Sequence, residues 1–517
     1  MPELWAVTNA LVARAGFLKY AELGLVIAAA AGSLFLVGRD VALRRGGLRR
    51  TWAIARTTLR EAVRTRTVAV MVVVLAIVIV GGPFLLHGAG TLADRIQLVL
   101  AYSMTAVGFL LSVLTVFLST STLSGDLREK RIETIATKPI PRSQVLLGKW
   151  VAVMTLNAAL LVPSALVTYG LVRLVIGPLS KAKDNTERTQ LVNEVYTARH
   201  TIEPLRPDAA IEEAITKEIA RLRTEGEIDN KPFDEAAFRR KWRKDLWMRY
   251  NTLPPGAATR YEFEDVRPAS PDQKLFLRYK LVAVGPTDQP AGERPRVALG
   301  WIVNPGQASQ WMPEAMSVVT VDQFHELAIP ADLIGPDGRL SVACVNVSND
   351  PYAPVRNVYA AFTTDKGITL LYVAGTFEGN FARAVLLVLV RLAFLSALSL
   401  AAAALLSFPV ASMFVMFVFL CTLLVDQFSA FSAPVAGTED KPFYEVSSPV
   451  YRALFKAMST AIPNLSRYDG SADLATGRLV SWGLVLNGLG RIVIIYGGVV
   501  MLLGCLYFRA RELEQVE

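Results

Sequence analysis

A chain of 517 residues with 52% hydrophobic and only 19% charged side chains carries too little charge for an ordinary soluble protein, where about a quarter is usual. Its net charge of +9 does not describe a nucleic-acid surface, because it sits in three short segments: 39–66 (net +7), 124–149 (net +3) and 509–517 (net −1). The rest of the chain is neutral, and Lys/Arg excess in short loops marks the cytoplasmic side of a membrane.

Seven apolar blocks, about 21–38, 67–87, 96–123, 150–178, 383–407, 409–432 and 481–508, are long enough as helices to cross a hydrocarbon layer of about 30 Å. Only helices satisfy their own backbone groups in lipid at such lengths. The first block is rich in Ala and Gly, with Glu22 near one end. About twenty residues precede it, more than a signal peptide's charged n-region, so it is read as an uncleaved span. Seven alternating spans place all three charged segments on one face when the N-terminus starts outside.

The stretch 124–150, SGDLREKRIETIATKPIPRSQVLLGKW, lies between two spans. Ser124 is expected to cap a short helix beginning at Gly125, with Asp126 in its first turn and Asp126–Lys130 as an i,i+4 pair. Ile132, Ile135 and Ala136 form an apolar patch, and Pro139 and Pro141 end the helix. Ser143 is expected to cap the next helix, which enters the membrane from Gly148-Lys149-Trp150. The physics alone fits equally a braced helix that transmits force and an ordinary cytoplasmic loop.

Between the fourth and fifth spans lies a hydrophilic insert of about 200 residues, external by alternation. Its first part, about 181–252, reads as helices. In 207–226, Ile211, Ile215, Ile219 and Leu222 make an amphipathic stripe that Gly226 stops. In a second helix over 231–250, the mixture of basic and aromatic residues fits either a site for an acidic ligand or, the favoured reading, a solvated face with Phe238, Trp242 and Trp247 turned inward. After Pro254-Pro255-Gly256 the pattern changes to strands at 274–285, 296–306, 317–330, 339–348, 357–362 and 367–375, as in a small β-sandwich. Asn346 in Asn-Val-Ser also fits a glycosylation acceptor. Residues 324–350, with an apolar strand ending in Pro, an Asp-Gly turn and an alternating strand ending in Asn, resemble the closing strands of galactose-binding-like jelly rolls.

The spans 383–407 and 409–432 form a hairpin with almost no loop. Arg391, about eight residues inside its span, either lines a translocation path or snorkels to the outer interface with Arg383. Cys344, Cys421 and Cys505 make no metal or disulfide pattern, and His87, His200 and His325 are scattered.

The 124–150 stretch resembles the coupling-helix region of permease subunits in type-2 ATP-binding-cassette exporters. Their pattern is an acid after the second core span, a short helix, Pro-x-x-Arg, and Gly-Lys opening the third span. Asp126, the segment Arg128–Thr137, Pro139-Ile140-Pro141-Arg142 and Gly148-Lys149 match it, with Asp126 where many members carry Glu. Residues 51–67 resemble the family's amphipathic elbow helix, 463–481 its external segment before the last span, and 507–514 its C-terminal ending. The likeness covers about 51–178 and 381–517; the first span and the insert are departures.

The resemblance implies a polytopic, mainly α-helical membrane protein with six core spans plus one N-terminal span and an inserted external domain. Its parts would be 1–50 (first span and basic linker), 51–178 (elbow, core spans 1–3, coupling helix), 179–257 (external helices), 258–380 (β-sandwich) and 381–517 (core spans 4–6, with an external segment 433–480). Coupling to an ATPase would fall to Asp126, Arg128, Glu129, Lys130, Arg131, Glu133, Thr134, Lys138, Pro139, Arg142, Gly148 and Lys149. No GxxxxGK[ST] phosphate loop occurs in the sequence, so ATP and magnesium belong to a separate ATPase subunit, and no cofactor or metal is expected in this chain. The other implied partners are a second permease chain and membrane lipid, in a bacterial cytoplasmic membrane with the C-terminus inside. The rival reading is a membrane-anchored binding or sensing protein that works through its sandwich; an enzyme is disfavoured, since no nucleophile, base and orienter group together.

Overall fold

The computed structural model describes residues 47–64, 66–85, 92–129, 141–176, 196–225, 235–268, 273–283, 295–313, 316–348, 358–363, 367–432 and 463–510. The expected first span, residues 130–140 of the expected coupling helix, 433–462 and 511–514 lie outside these. The chain divides into two compact units, a helical one (1–196 with 376–517) and one formed by 197–375.

The helical unit begins with α1 (Gly47–Arg64), which buries a stripe of small residues: Gly47, Thr51, Ala55, Thr58 and Ala62. Spacings of three and four put these on one face, so the helix can lie close against a neighbour. The apolar α2 (Arg66–Leu85) follows, bent from α1 by 66°. Next come α3 (Leu92–Arg128) and α4 (Arg142–Gly170), the latter continuing as a π-helical turn, Leu171–Ile176. The expected break at Ser124 does not occur. Without a proline nearby, the helical bonding runs on past Gly125, whose carbonyl accepts from Glu129 N–H at 2.9 Å. Nor does Ser143 cap α4, because Pro141 occupies the N-cap position and offers no side-chain acceptor.

The second unit opens with a strand that the sequence reading placed in a helical segment, β1 (Thr197–Ile202). Two helices follow, α5 (Asp208–Thr224) and α6 (Glu235–Asn251). Ile211, Ile215 and Ile219 pack with Phe238, Trp242 and Trp247, as the stripe predicted. The strands are β2 (Thr252–Leu253), β3 (Ala258–Phe263), β4 (Lys274–Ala283), β5 (Arg296–Val303), β6 (Ser317–Thr320), β7 (Phe324–Pro330), β8 (Leu340–Asn346), β9 (Ala360–Phe362) and β10 (Ile368–Thr376). One sheet runs β1-β10-β4-β9-β2 with β7 also on β4; the other runs β3-β8-β5-β6. Both contribute to a single core. Tyr279 of β4 meets Trp301 of β5 at 4.7 Å between ring centres, and Tyr261 of β3 meets Phe362 of β9 at 5.4 Å.

Two further expectations fail in this unit. The run 317–330 is two strands in different sheets, parted at Asp322, which turns with φ 63°. Asn346 is no glycan acceptor. It is fully buried, its amide donating to Leu253 O (2.9 Å) and Val358 O (2.8 Å) while its oxygen accepts from Ser348 Oγ at 2.6 Å.

The chain returns to the helical unit through α7 (Phe377–Leu405), which Thr376 caps by accepting from Gly379 N–H. The apolar α8 (Phe408–Ser432) follows after two residues. A short 3₁₀ turn (Ser466–Tyr468) and α9 (Ser471–Ala475) precede the last long helix. That helix comprises α10 (Trp482–Asn487), a π segment (Gly488–Gly497) and α11 (Gly498–Ala510). Among the described residues, four helices are long and apolar enough to cross a membrane: 95–128, 142–173, 377–405 and 482–508. The bent α1–α2 pair gives a fifth if counted as one span, and α8 adds a shorter apolar stretch, Phe408–Leu424.

Candidate functional site

Two clusters in the helical unit hold residues singled out from the sequence. The first lies where α3 and α4 approach the charged segment. Lys149 Nζ stands 2.6 Å from Asp126 Oδ2 and donates to Thr122 O at 2.8 Å. The side chains are 3% and 14% exposed, so the pair is nearly dry. The structure thus gives Asp126 a partner on another helix, Lys149 of α4, while the expected partner Lys130 lies outside the described residues. A lone charge at either position would be costly to bury, and each supplies the other's compensation.

Gly148, next to Lys149, meets α1. A methyl group added there would lie 2.8 Å from Ile54 Cβ and 3.0 Å from Thr51 O, so only glycine admits this approach. Arg142, at the start of α4, donates to the carbonyl of Phe508 and stands 5.7 Å from that residue's ring centre. Trp150 donates to Ala393 O of α7 at 3.0 Å. The described members of the expected coupling set thus split. Asp126, Gly148, Lys149 and Arg142 bind helices together, whereas Arg128 and Glu129 are exposed at the end of α3. Lys130, Arg131, Glu133, Thr134, Lys138 and Pro139 lie outside the described residues.

The second cluster surrounds Arg391. The helix α7 starts at Phe377, earlier than expected, which places Arg391 fourteen residues or about 21 Å along it. Its side chain is 8% exposed, and a guanidinium nitrogen stands 3.7 Å from Asp469 Oδ2. Gly108 of α3 makes the room, since a methyl there would fall 2.6 Å from Arg391 Nη2. Asp469 belongs to the 463–481 segment, which folds back along α7. Asn380 donates to Arg478 O and accepts from Val480 N–H, both at 2.7 Å. Arg383 donates to Val480 O at 2.8 Å and lies against the Trp482 ring. Deeper in, Tyr468 donates to Asn487 at 2.9 Å, and Asp469 Oδ1 accepts from Ser471 N–H at 3.0 Å.

The sequence reading passed over Arg491. It is exposed within the π segment of the last helix, at a level fixed by close approaches of Gly488 to Val390 and Gly497 to Ala397. An arginine ten residues into the apolar block 481–508 was the available signal. No group of three or more His, Cys, Asp or Glu able to hold a metal occurs among the described residues. No family model, curated protein or solved structure matches the chain.

Proposed function

We propose that this chain is the permease subunit of an ATP-driven transporter, an exporter or extractor, in a bacterial cytoplasmic membrane. The observation that carries the reading is the dry Asp126–Lys149 pair. It ties α3 to α4 on either side of the charged 130–140 segment, whose sequence resembles a coupling helix. A push on that segment would move both helices together, and α1 braced on Gly148 would follow. In this reading the helical unit holds six core spans and an elbow, a further span precedes them, and the 197–375 unit is external, with a galactose-binding-like sandwich. ATP and magnesium act in a partner ATPase. A second permease chain would cover the last helix, which leaves Leu486, Leu503 and Arg491 exposed.

The test is copurification in mild detergent with mass spectrometry of what comes down. An ABC-type ATPase should be recovered with the unaltered chain and lost with Arg131→Glu/Glu133→Lys, which preserves net charge but scrambles complementarity. Lys138→Arg should leave recovery unchanged. If the unaltered chain recovers no ATPase, the anchored sandwich, favoured by the separate core of 197–375, takes its place.

A further inference from the structure

Arg391 is bound differently from the other buried cations among the described residues, Lys149 and Arg199. Lys149 and Arg199 have carboxylate contacts at 2.6 and 2.8 Å, with hydrogen bonds besides. Arg391 has one ionic contact, at 3.7 Å, beyond hydrogen-bonding reach, and no hydrogen bond to any described residue. A guanidinium carries five N–H donors in a planar fork, and leaving them without acceptors is costly where water is scarce. Its counter-charge is held independently, because Asp469 is tied to the backbone at Ser471. The Asp469 side chain is also 25% exposed against 8% for Arg391, so the acid stands on the open side of the cation. Around them the walls are apolar, with Leu387, Val388 and Leu392 buried on α7.

We propose that Arg391 binds the phosphate-bearing headgroup of an anionic amphiphile, which takes the place of Asp469 on the guanidinium. The fork geometry suits a phosphate's paired oxygens, and the apolar walls suit the remainder of such a ligand. Calling this ligand cargo rests on the transporter reading above; the binding itself does not.

The test uses the full chain, purified in mild detergent and titrated with phosphatidylglycerol, phosphatidylcholine or glycerol 3-phosphate, with bound species counted by native mass spectrometry. Phosphatidylglycerol should bind at least tenfold more tightly than phosphatidylcholine. Asp469→Asn should tighten it severalfold by removing the competing acid, and Arg391→Gln should weaken it at least tenfold. Arg391→Gln/Asp469→Asn, which removes both charges and guards against misfolding of the single variant, should bind as weakly as Arg391→Gln alone. Competition by glycerol 3-phosphate as strong as by the lipid would keep the site and assign it to soluble phosphates; weak competition assigns it to lipid. The proposal is overturned if Arg391→Gln leaves phosphatidylglycerol binding unchanged. It is equally overturned if Asp469→Asn weakens binding as much as Arg391→Gln and the double variant regains it, the mark of a purely structural pair. Neither result depends on whether an ATPase copurifies.

Discussion

Lys149 and Asp126 meet at 2.6 Å across two helices whose connecting segment carries Lys130, Arg131, Glu133 and Lys138. Removing one partner leaves the other charge buried, which commonly costs about 3–5 kcal/mol. Lys149→Met should fall near the lower end of that range, because the surviving Asp126 is partly wet; Asp126→Asn should cost more, because Lys149 is not. The double variant should recover most of the loss. Thermal unfolding of the purified variants in one detergent gives the coupling directly, and a double variant no better than the worse single one would sink the account.

Gly148→Ala should loosen α1. The added methyl would meet Ile54 and the backbone carbonyl of Thr51, and overpacking of this kind costs about 1–3 kcal/mol. Ile54→Ala in the same chain should restore only part of this, since the Cβ and the carbonyl remain. Full restoration would mean that the carbonyl contact does not matter.

The 197–375 unit should fold without the helices. Residues 256–376, the boundary that the Pro-Pro-Gly signal suggests, should not, for they lack β1 and β2. Arg199 of β1 is 1% exposed and donates to both carboxylate oxygens of Glu326, at 3.0 and 2.8 Å, so the shorter fragment leaves Glu326 unpaired by it. Circular dichroism melts of both fragments decide this; equal cooperativity would count against a structural role for β1.

Alkaline pH should destabilise that unit. Burial pushes the Cys344 thiol well above its ordinary range, and pushes Tyr279 up to about 12. Groups whose pKa rises on folding lend stability that is complete below the unfolded value and lost as pH climbs beyond it. The loss should begin near about pH 9 with Cys344, at roughly 1.4 kcal/mol per pH unit, with tyrosines adding from about pH 10. Urea unfolding of the 197–375 fragment at pH 8, 9 and 10 should show this slope, and Cys344→Ala should flatten its first part. An unchanged slope would exclude the thiol as its source.

Membrane sidedness can be read with single cysteines at Arg128 and Lys274, both exposed, in a chain stripped of its three native cysteines. An impermeant thiol reagent on cells with a permeable outer envelope should label position 274 and spare 128. Labelling of 128 alone would reverse the orientation.

Hydropathy located the long helices, because an unbroken apolar run leaves the backbone few alternatives. Alternation located β4, where Leu275, Leu277, Tyr279 and Leu281 all turn inward. Local signals failed where a distant partner decides. The strand Thr-Ala-Arg-His-Thr-Ile looks polar, and Glu326 from another strand is what makes burying its arginine tolerable. Ser124-Gly125 looked like a helix start, yet the acid beside it answers to a lysine on the next helix and the helix runs through. Arg391 drew attention by its chemistry alone, and nothing near it in sequence announced Asp469 or the close approach to Gly108.

The strands β1 and β10, through which the chain enters and leaves the 197–375 unit, are hydrogen-bonded neighbours in one sheet. A module threaded in this way has its two ends on adjoining strands, and its own core does not depend on what precedes or follows. One recombination event could add or remove it without altering any helix of the host. Such an insert evolves on its own schedule: its surface can be reshaped for a new ligand while the helices keep their contacts. It is also a natural seam for engineering, where a short linker could replace 197–375 and leave the described helices of the other unit in place.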